Sequence, residues 1–196
     1  MKIAEEIDLP KVSKTLPVFL NHGEIRALLN AADNTRDKLI MQMLYAAGLR
    51  VSELHKLNID NIEGMKIYVR LGKGAKDRVV FIDKNTKKLL KRYLKERKND
   101  KKAVILNKNG KRMSQRSMQY IVKKYAKKAQ IKKNITPHTL RHTFATHLLQ
   151  NGADVVVIKD LLGHSDLSTT QIYTHVTNKY KEDTYKNTHP LNREES

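Results

Sequence analysis

Between Thr136 and Val176 the chain reads TPHTLRHTFATHLLQNGADVVVIKDLLGHSDLSTTQIYTHV, a stretch holding His138, Arg141, His164 and Tyr173. These side chains offer two imidazoles, a guanidinium and a phenol. An imidazole moves protons near neutral pH, a guanidinium presents a planar fork that matches two phosphate oxygens, and a phenol becomes a nucleophile once its proton is taken. Phosphate is the ligand such a set fits. Two further candidates lie upstream. Arg50 and Glu53 stand in GLRVSELHKL, and Lys73 stands between two glycines in GKGAKD. Arg50 allows two readings: a surface pair with Glu53 one turn on, or a phosphate-binding guanidinium fixed by whatever element ends at Gly48.

A metal is the other use for such histidines, since His138, His142 and His147 fall in one helical stretch. No HExxH occurs, no carboxylate joins them, and helical spacing turns His147 away from the His138 face, so no metal site is expected.

Local signals place these residues on helices and one hairpin. Thr136 is a good N-cap, Pro137 suits the first helical position, and Asn151-Gly152 is a good stop. On that helix His138, Arg141 and His142 share one face, beside an apolar stripe of Leu140, Phe144 and Leu148. The helix start, with unpaired N–H groups and the positive end of the dipole, favours an anion. A second short helix is expected from Ala153-Asp154 to Leu162, stopped by Gly163, with His164 next; a third piece from about Ser168 carries Tyr173.

Upstream, residues 1–19 show no sustained period and read as a linker or tail. Asn21 with Glu24 forms a capping-box pattern for a helix ending near Asp33. A helix over about Arg36–Ala47, apolar on nearly all faces, is central to the core, and Gly48 ends it. Met65–Leu71 and Arg78–Asp83 read as a β-hairpin with Lys73 at its tip. Helices follow over about Asn85–Lys98 and Ser114–Ala129, separated by an apolar run at Ala103–Leu106 and a turn at Asn109-Gly110. Both carry a basic face interleaved with Tyr93, Tyr120 and Tyr125, a pattern that suits tracking a duplex backbone, although tyrosines so spaced also pack at core edges. A polar helix over about Asn178–Lys186 closes the chain.

The chain has 196 residues with 39 Lys and Arg against 20 Asp and Glu, a formal charge of +19. About twenty of these cations lie between Lys84 and Lys133, where Glu96 and Asp100 are the carboxylates. Such a surplus repels itself in the compact state, and a polyanionic partner relieves it; nucleic acid leads. A solvated lysine surface normally balances Lys with Glu, which this segment does not. There is no cysteine, hence no disulfide framework, thiolate nucleophile or cysteine-ligated zinc, and a reducing intracellular location fits. No apolar run has the length of a membrane span.

With Arg50, Lys73, the HTLR of His138 to Arg141, the LLGH ending at His164 and the IYTHV holding Tyr173, the chain resembles the tyrosine recombinase (phage integrase) family, most nearly its Xer-type members. The likeness runs from about Leu16 to Leu191. It implies an α+β, mainly α, catalytic domain of packed helices with a small antiparallel β-sheet, spanning residues 20–176, with 1–19 a linker and 177–196 a C-terminal helix or tail exchanged between protomers. It implies site-specific cleavage and rejoining of double-stranded DNA through a 3′-phosphotyrosyl link on Tyr173. Arg50 and Arg141 would clamp the scissile phosphate, Lys73 would protonate the leaving oxygen, His138 would assist proton transfer, His164 would hydrogen-bond a phosphate oxygen, and Glu53 would orient its neighbours. No cofactor or metal is called for. The expected partners are double-stranded DNA and other copies of the chain in a tetrameric synapse, in the cytoplasm with the nucleoid.

Most of the family carry a helical core-binding domain ahead of this one, and the residues before Phe19 do not supply it. The chain therefore reads as a catalytic fragment or as similar to short invertases. Two rival functions share these residues: relaxation of DNA in the manner of type IB topoisomerases, and DNA binding without catalysis.

Overall fold

The computed structural model describes residues 18–70, 77–97 and 99–163. Among them the chain forms seven α-helices and one three-stranded antiparallel sheet. In order these are α1 (His22–Asn30), α2 (Thr35–Ala46), α3 (Val51–Lys56), a 3-10 turn (Ile59–Asn61), β1 (Ile62–Glu63), β2 (Lys66–Val69), β3 (Arg78–Phe81), α4 (Lys84–Glu96), α5 (Gln115–Lys128), α6 (Pro137–Gln150) and α7 (Val155–Leu162). The expected mainly helical α+β class is what the structure has. Strand β1 is an addition to the expected hairpin, and Lys73, His164, Tyr173 and the two terminal segments lie outside the described residues.

Helix α2 is the centre of the molecule. Leu39, Ile40, Met41, Met43 and Leu44 are fully buried, because α4 and α6 pack on it and α1, α3 and α5 also lie against it. Each such side chain contributes roughly 1.5–3 kcal/mol of burial, far more than the helix's own propensity supplies. The helix starts on Asn34, whose side chain accepts a hydrogen bond from the Asp37 amide, and it stops at Gly48. There φ is +59°, and a Cβ would sit 2.5 Å from Cδ1 of Phe144 on α6. Only glycine allows both the left-handed turn and that approach.

The sheet follows period-two alternation. Ile67, Val69, Val80 and Arg78 face inward, while Tyr68, Val79 and Phe81 face out, in a register pairing Ile67 with Val80 and Val69 with Arg78. Arg78 thus occupies an inward position that the pattern would give to an apolar residue. A smaller apolar cluster, Ala145, Leu149, Ile158 and Leu162, joins α6 to α7. It fixes where the end of α7 falls.

Candidate active site

Helix α6 begins as the sequence indicates. The Thr136 hydroxyl accepts from the Thr139 amide at 3.3 Å, the Thr139 hydroxyl accepts from the Thr136 amide at 3.1 Å, and Pro137 takes the first position. This reciprocal cap occupies N–H groups that were expected to await an anion. His138 is exposed in the first turn. Arg141, one turn on, is not presented to solvent beside it: it is 6% exposed. Both flanks of α6 are buried, Leu140 in the main core and Ala145 and Leu149 in the smaller cluster, so the helix sinks its guanidinium inward.

The guanidinium meets a carboxylate. Arg50 caps the start of α3, its amide donating to Glu53 Oε2 at 2.7 Å and its Nη1 to Oε1 at 3.0 Å. Arg78, arriving on β3, donates from Nη1 to Oε1 at 2.8 Å and from Nη2 to Oε2 at 2.9 Å. Arg141 Nη1 lies 3.9 Å from Oε2. Of the two readings of Arg50, the pair with Glu53 is present, but Glu53 is buried and shared by three arginines, so it is not a surface pair.

The same three arginines close the end of α7. A helix leaves its last carbonyls without partners, and here Leu161 O accepts from Arg78 Nε at 2.7 Å, Leu162 O from Arg141 Nη2, and Gly163 O from Arg50 Nη2 at 3.3 Å. Arg141 Nη1 also donates to Gly48 O at 2.6 Å. Gly163 turns the chain with φ +63°, and a Cβ there would lie 3.0 Å from Cδ of Arg78. Thus the ends of α2 and α7, the start of α3, the body of α6 and the first residue of β3 converge on one carboxylate.

Among the described residues, three guanidiniums against one carboxylate leave this cluster two positive charges in excess (3 − 1). Burial raises the Glu53 pKa, and the hydrogen bonds from Arg78 and the Arg50 amide, with the Arg78 charge, outweigh it, so the net direction is down. Glu53 stays ionised. Arg50 keeps 32% of its side chain exposed, whereas Arg78 and Arg141 are buried. Such a site can receive an anion and neutralise charge that builds on it.

Of the residues expected in the site, Arg50, Glu53 and Arg141 come together, and His138 lies on the same helix as Arg141 but no hydrogen bond or ion pair joins it to another described residue. Arg78 was not anticipated. The signal available was its alternation with Val80 and Ile82, which puts a charge on the sheet's core face. His147, set aside as a ligand, is buried instead, its Nδ1 2.8 Å from the Tyr45 hydroxyl and its ring stacked on His22.

A model described as the phage integrase family matches residues 18–180. The chain belongs to the phage integrase family. It is 48% identical over 182 residues to tyrosine recombinase XerA of Pyrococcus horikoshii, covering 90% of this chain and 63% of that protein. Identity to tyrosine recombinase XerD of Oceanobacillus iheyensis is 42% over 196 residues, 94% of this chain and 66% of the other. The chain therefore spans just under two thirds of the length of these integrase-family relatives. Among solved structures, XerA recombinase superposes with a TM-score of 0.79 at 37% identity, over 90% of this chain and 66% of that one. XerH site-specific recombinase bound to its palindromic difH substrate gives 0.76 at 27% identity, over 91% and 55%.

Proposed function

We propose that this chain is the DNA-breaking and rejoining unit of a site-specific tyrosine recombinase. The observation that carries this is the Glu53 cluster, in which Arg50 and Arg141 meet at the end of α7 immediately before His164. Family membership and the likeness to XerH in its substrate complex support it. In this reading Arg50 and Arg141 hold the non-bridging oxygens of a DNA phosphodiester. The Tyr173 hydroxyl attacks phosphorus, its proton passing toward His138; the P–O5′ bond breaks, the 5′-oxygen takes a proton from Lys73, and a 3′-phosphotyrosyl bond forms. His164 donates to a phosphate oxygen. Attack of a 5′-hydroxyl on that bond reverses the step, so rejoining needs no external energy source, and the guanidiniums supply the positive charge.

The duplex is held by the basic faces of α4 and α5. Lys123, Lys127 and Arg116 are exposed on α5, and Arg116 lines an open groove of about 640 Å³ together with Arg36, Lys108, Tyr120 and Lys124. Four protomers acting on two duplexes, exchanging residues 177–196, complete the assembly, in the cytoplasm where the DNA is.

Incubation with nicked duplexes that trap a cleaved strand tests this. Wild type is expected to give a covalent protein–DNA band, reduced by about 10²–10³-fold in rate in Arg50→Ala and Arg141→Ala, each of which removes a donor to the developing charge. DNA binding with no covalent band, under conditions where a two-domain Xer relative cleaves, contradicts it and favours binding alone.

A further inference from the structure

We propose that Arg78 is a positioning residue for DNA cleavage: by gripping both oxygens of Glu53 and the Leu161 carbonyl, it locks the carboxylate and the end of α7 in the arrangement that aims Arg50 and Arg141. The proposal rests on the cleavage reading above and extends it to a residue outside the phosphate-contacting set.

Arg78 is 7% exposed and stands on the core face of β3, in line with Val80 and Ile82. Burying a guanidinium is costly, and replacing a buried ion pair with apolar side chains of similar volume is often neutral or stabilising. Stability alone therefore gives no reason for arginine at this position. Its bonding partners give another. Nη1 and Nη2 take one Glu53 oxygen each, and Nε takes Leu161 O, so all three nitrogens of the fork are engaged in one rigid arrangement that a lysine cannot reproduce. Glu53 is faced by Arg50 from the start of α3, Arg78 from β3 and Arg141 from α6, while α7 brings backbone carbonyls to the same arginines. With Arg78 fixing both oxygens, Glu53 keeps one orientation toward Arg50 and Arg141. Without it, a lone carboxylate would draw those two guanidiniums onto itself and away from a phosphate. Arg78 opens β3, five residues after Lys73 in sequence, so one side chain ties that strand to the end of α7.

The test is single-turnover cleavage of a nicked trapping duplex as a function of pH, with duplex affinity and thermal midpoint measured on the same 196-residue chain. Arg78→Met is expected to cleave about 10²-fold more slowly, the scale of a small misplacement of catalytic groups, with affinity retained. The acid limb of its profile moves to higher pH, because Glu53 loses its main counter-charge while remaining buried. Arg78→Lys returns the charge without the fork, and is expected to restore the limb but only part of the rate. A merely structural role lowers the folded fraction and leaves the limb in place. Cleavage by folded Arg78→Met at the wild-type rate with an unmoved limb overturns the proposal. Where Arg78→Met does not fold, Arg78→Lys decides: slower cleavage at an unchanged melting point supports the positioning role, and wild-type cleavage overturns it. If wild type forms no adduct at all, the cleavage reading is what fails, and a carbon-13 titration of the Glu53 carboxyl reads the lock directly. A raised midpoint in Arg78→Met supports it, and an unchanged midpoint overturns it.

Discussion

Removing the Glu53 carboxylate would take from the buried Arg78 the carboxylate that both of its Nη atoms grip. Loss of one member of a buried pair costs about 3–5 kcal/mol, so Glu53→Ala is expected to lose stability on that scale in urea unfolding, and a loss near zero would contradict the shared-carboxylate picture. Acidification tests the same group without mutation. The folded pKa of Glu53 lies below its ordinary value of 4.5, so its stabilisation is complete above that value and is lost as pH falls through the folded one. The histidines act at higher pH. Burial, and for His147 also the neighbouring His22, lowers the folded pKa of His142 and His147 below 6.5. The unfolded chain takes protons there that the folded chain refuses, so stability is full above 6.5 and declines as pH drops toward the folded values. Urea midpoints are expected to fall between about pH 7 and pH 5 in wild type, with a shallower decline in His147→Gln; parallel curves would contradict this.

At the scale of elements, the decisive constraint is where α2 stops. Gly48 carries the turn that brings Arg50 to the site, with its carbonyl accepting from Arg141 and its face against Phe144. Gly48→Ala meets both a left-handed φ and a 2.5 Å approach to Phe144, and is expected to cost more than about 1 kcal/mol in unfolding free energy. A stable, fully active alanine variant would show that the approach of α2 to α6 is dispensable. Helix boundaries of this kind were legible in the sequence, because a cap is a local interaction. Asn21 with Glu24, Thr136 with Pro137, and the glycines at 48 and 163 each identified a helix end within a few residues of where it falls. The arginine cluster was legible only in part. Arg50 and Glu53 are three residues apart and read as a pair, whereas Arg78 meets Glu53 across 25 residues and Arg141 meets Gly48 across 93. Those pairings depend on tertiary packing that no local pattern encodes. The burial of Arg141 was not legible for the same reason: the second buried flank of α6 exists only because α7 folds back on it.

Across the whole molecule the dominant property is charge. The excess of +19 includes a run of about twenty cations between Lys84 and Lys133, and on α5 the exposed lysines flank a buried stripe of Met118, Ile121, Val122 and Tyr125. Packing thus turns the apolar stripe into the core and the lysines outward. Binding to duplex DNA is expected to weaken steeply with salt, and Lys123→Ala with Lys127→Ala to make that dependence shallower by about 0.9 in log–log slope for each phosphate no longer neutralised. An unchanged slope would move the DNA face elsewhere. Tyr93 and Tyr125 proved to be core residues, and Tyr120, 69% exposed, is the one of the three that faces this surface.

Cleavage in this reading is covalent chemistry at Tyr173, which mass spectrometry of the adduct formed on a nicked trapping duplex detects at the residue itself. Wild type is expected to carry a 3′-phosphonucleotide on the peptide containing Tyr173, absent from Tyr173→Phe while that variant binds the duplex as wild type does. An adduct on another residue, or one that survives Tyr173→Phe, would contradict it.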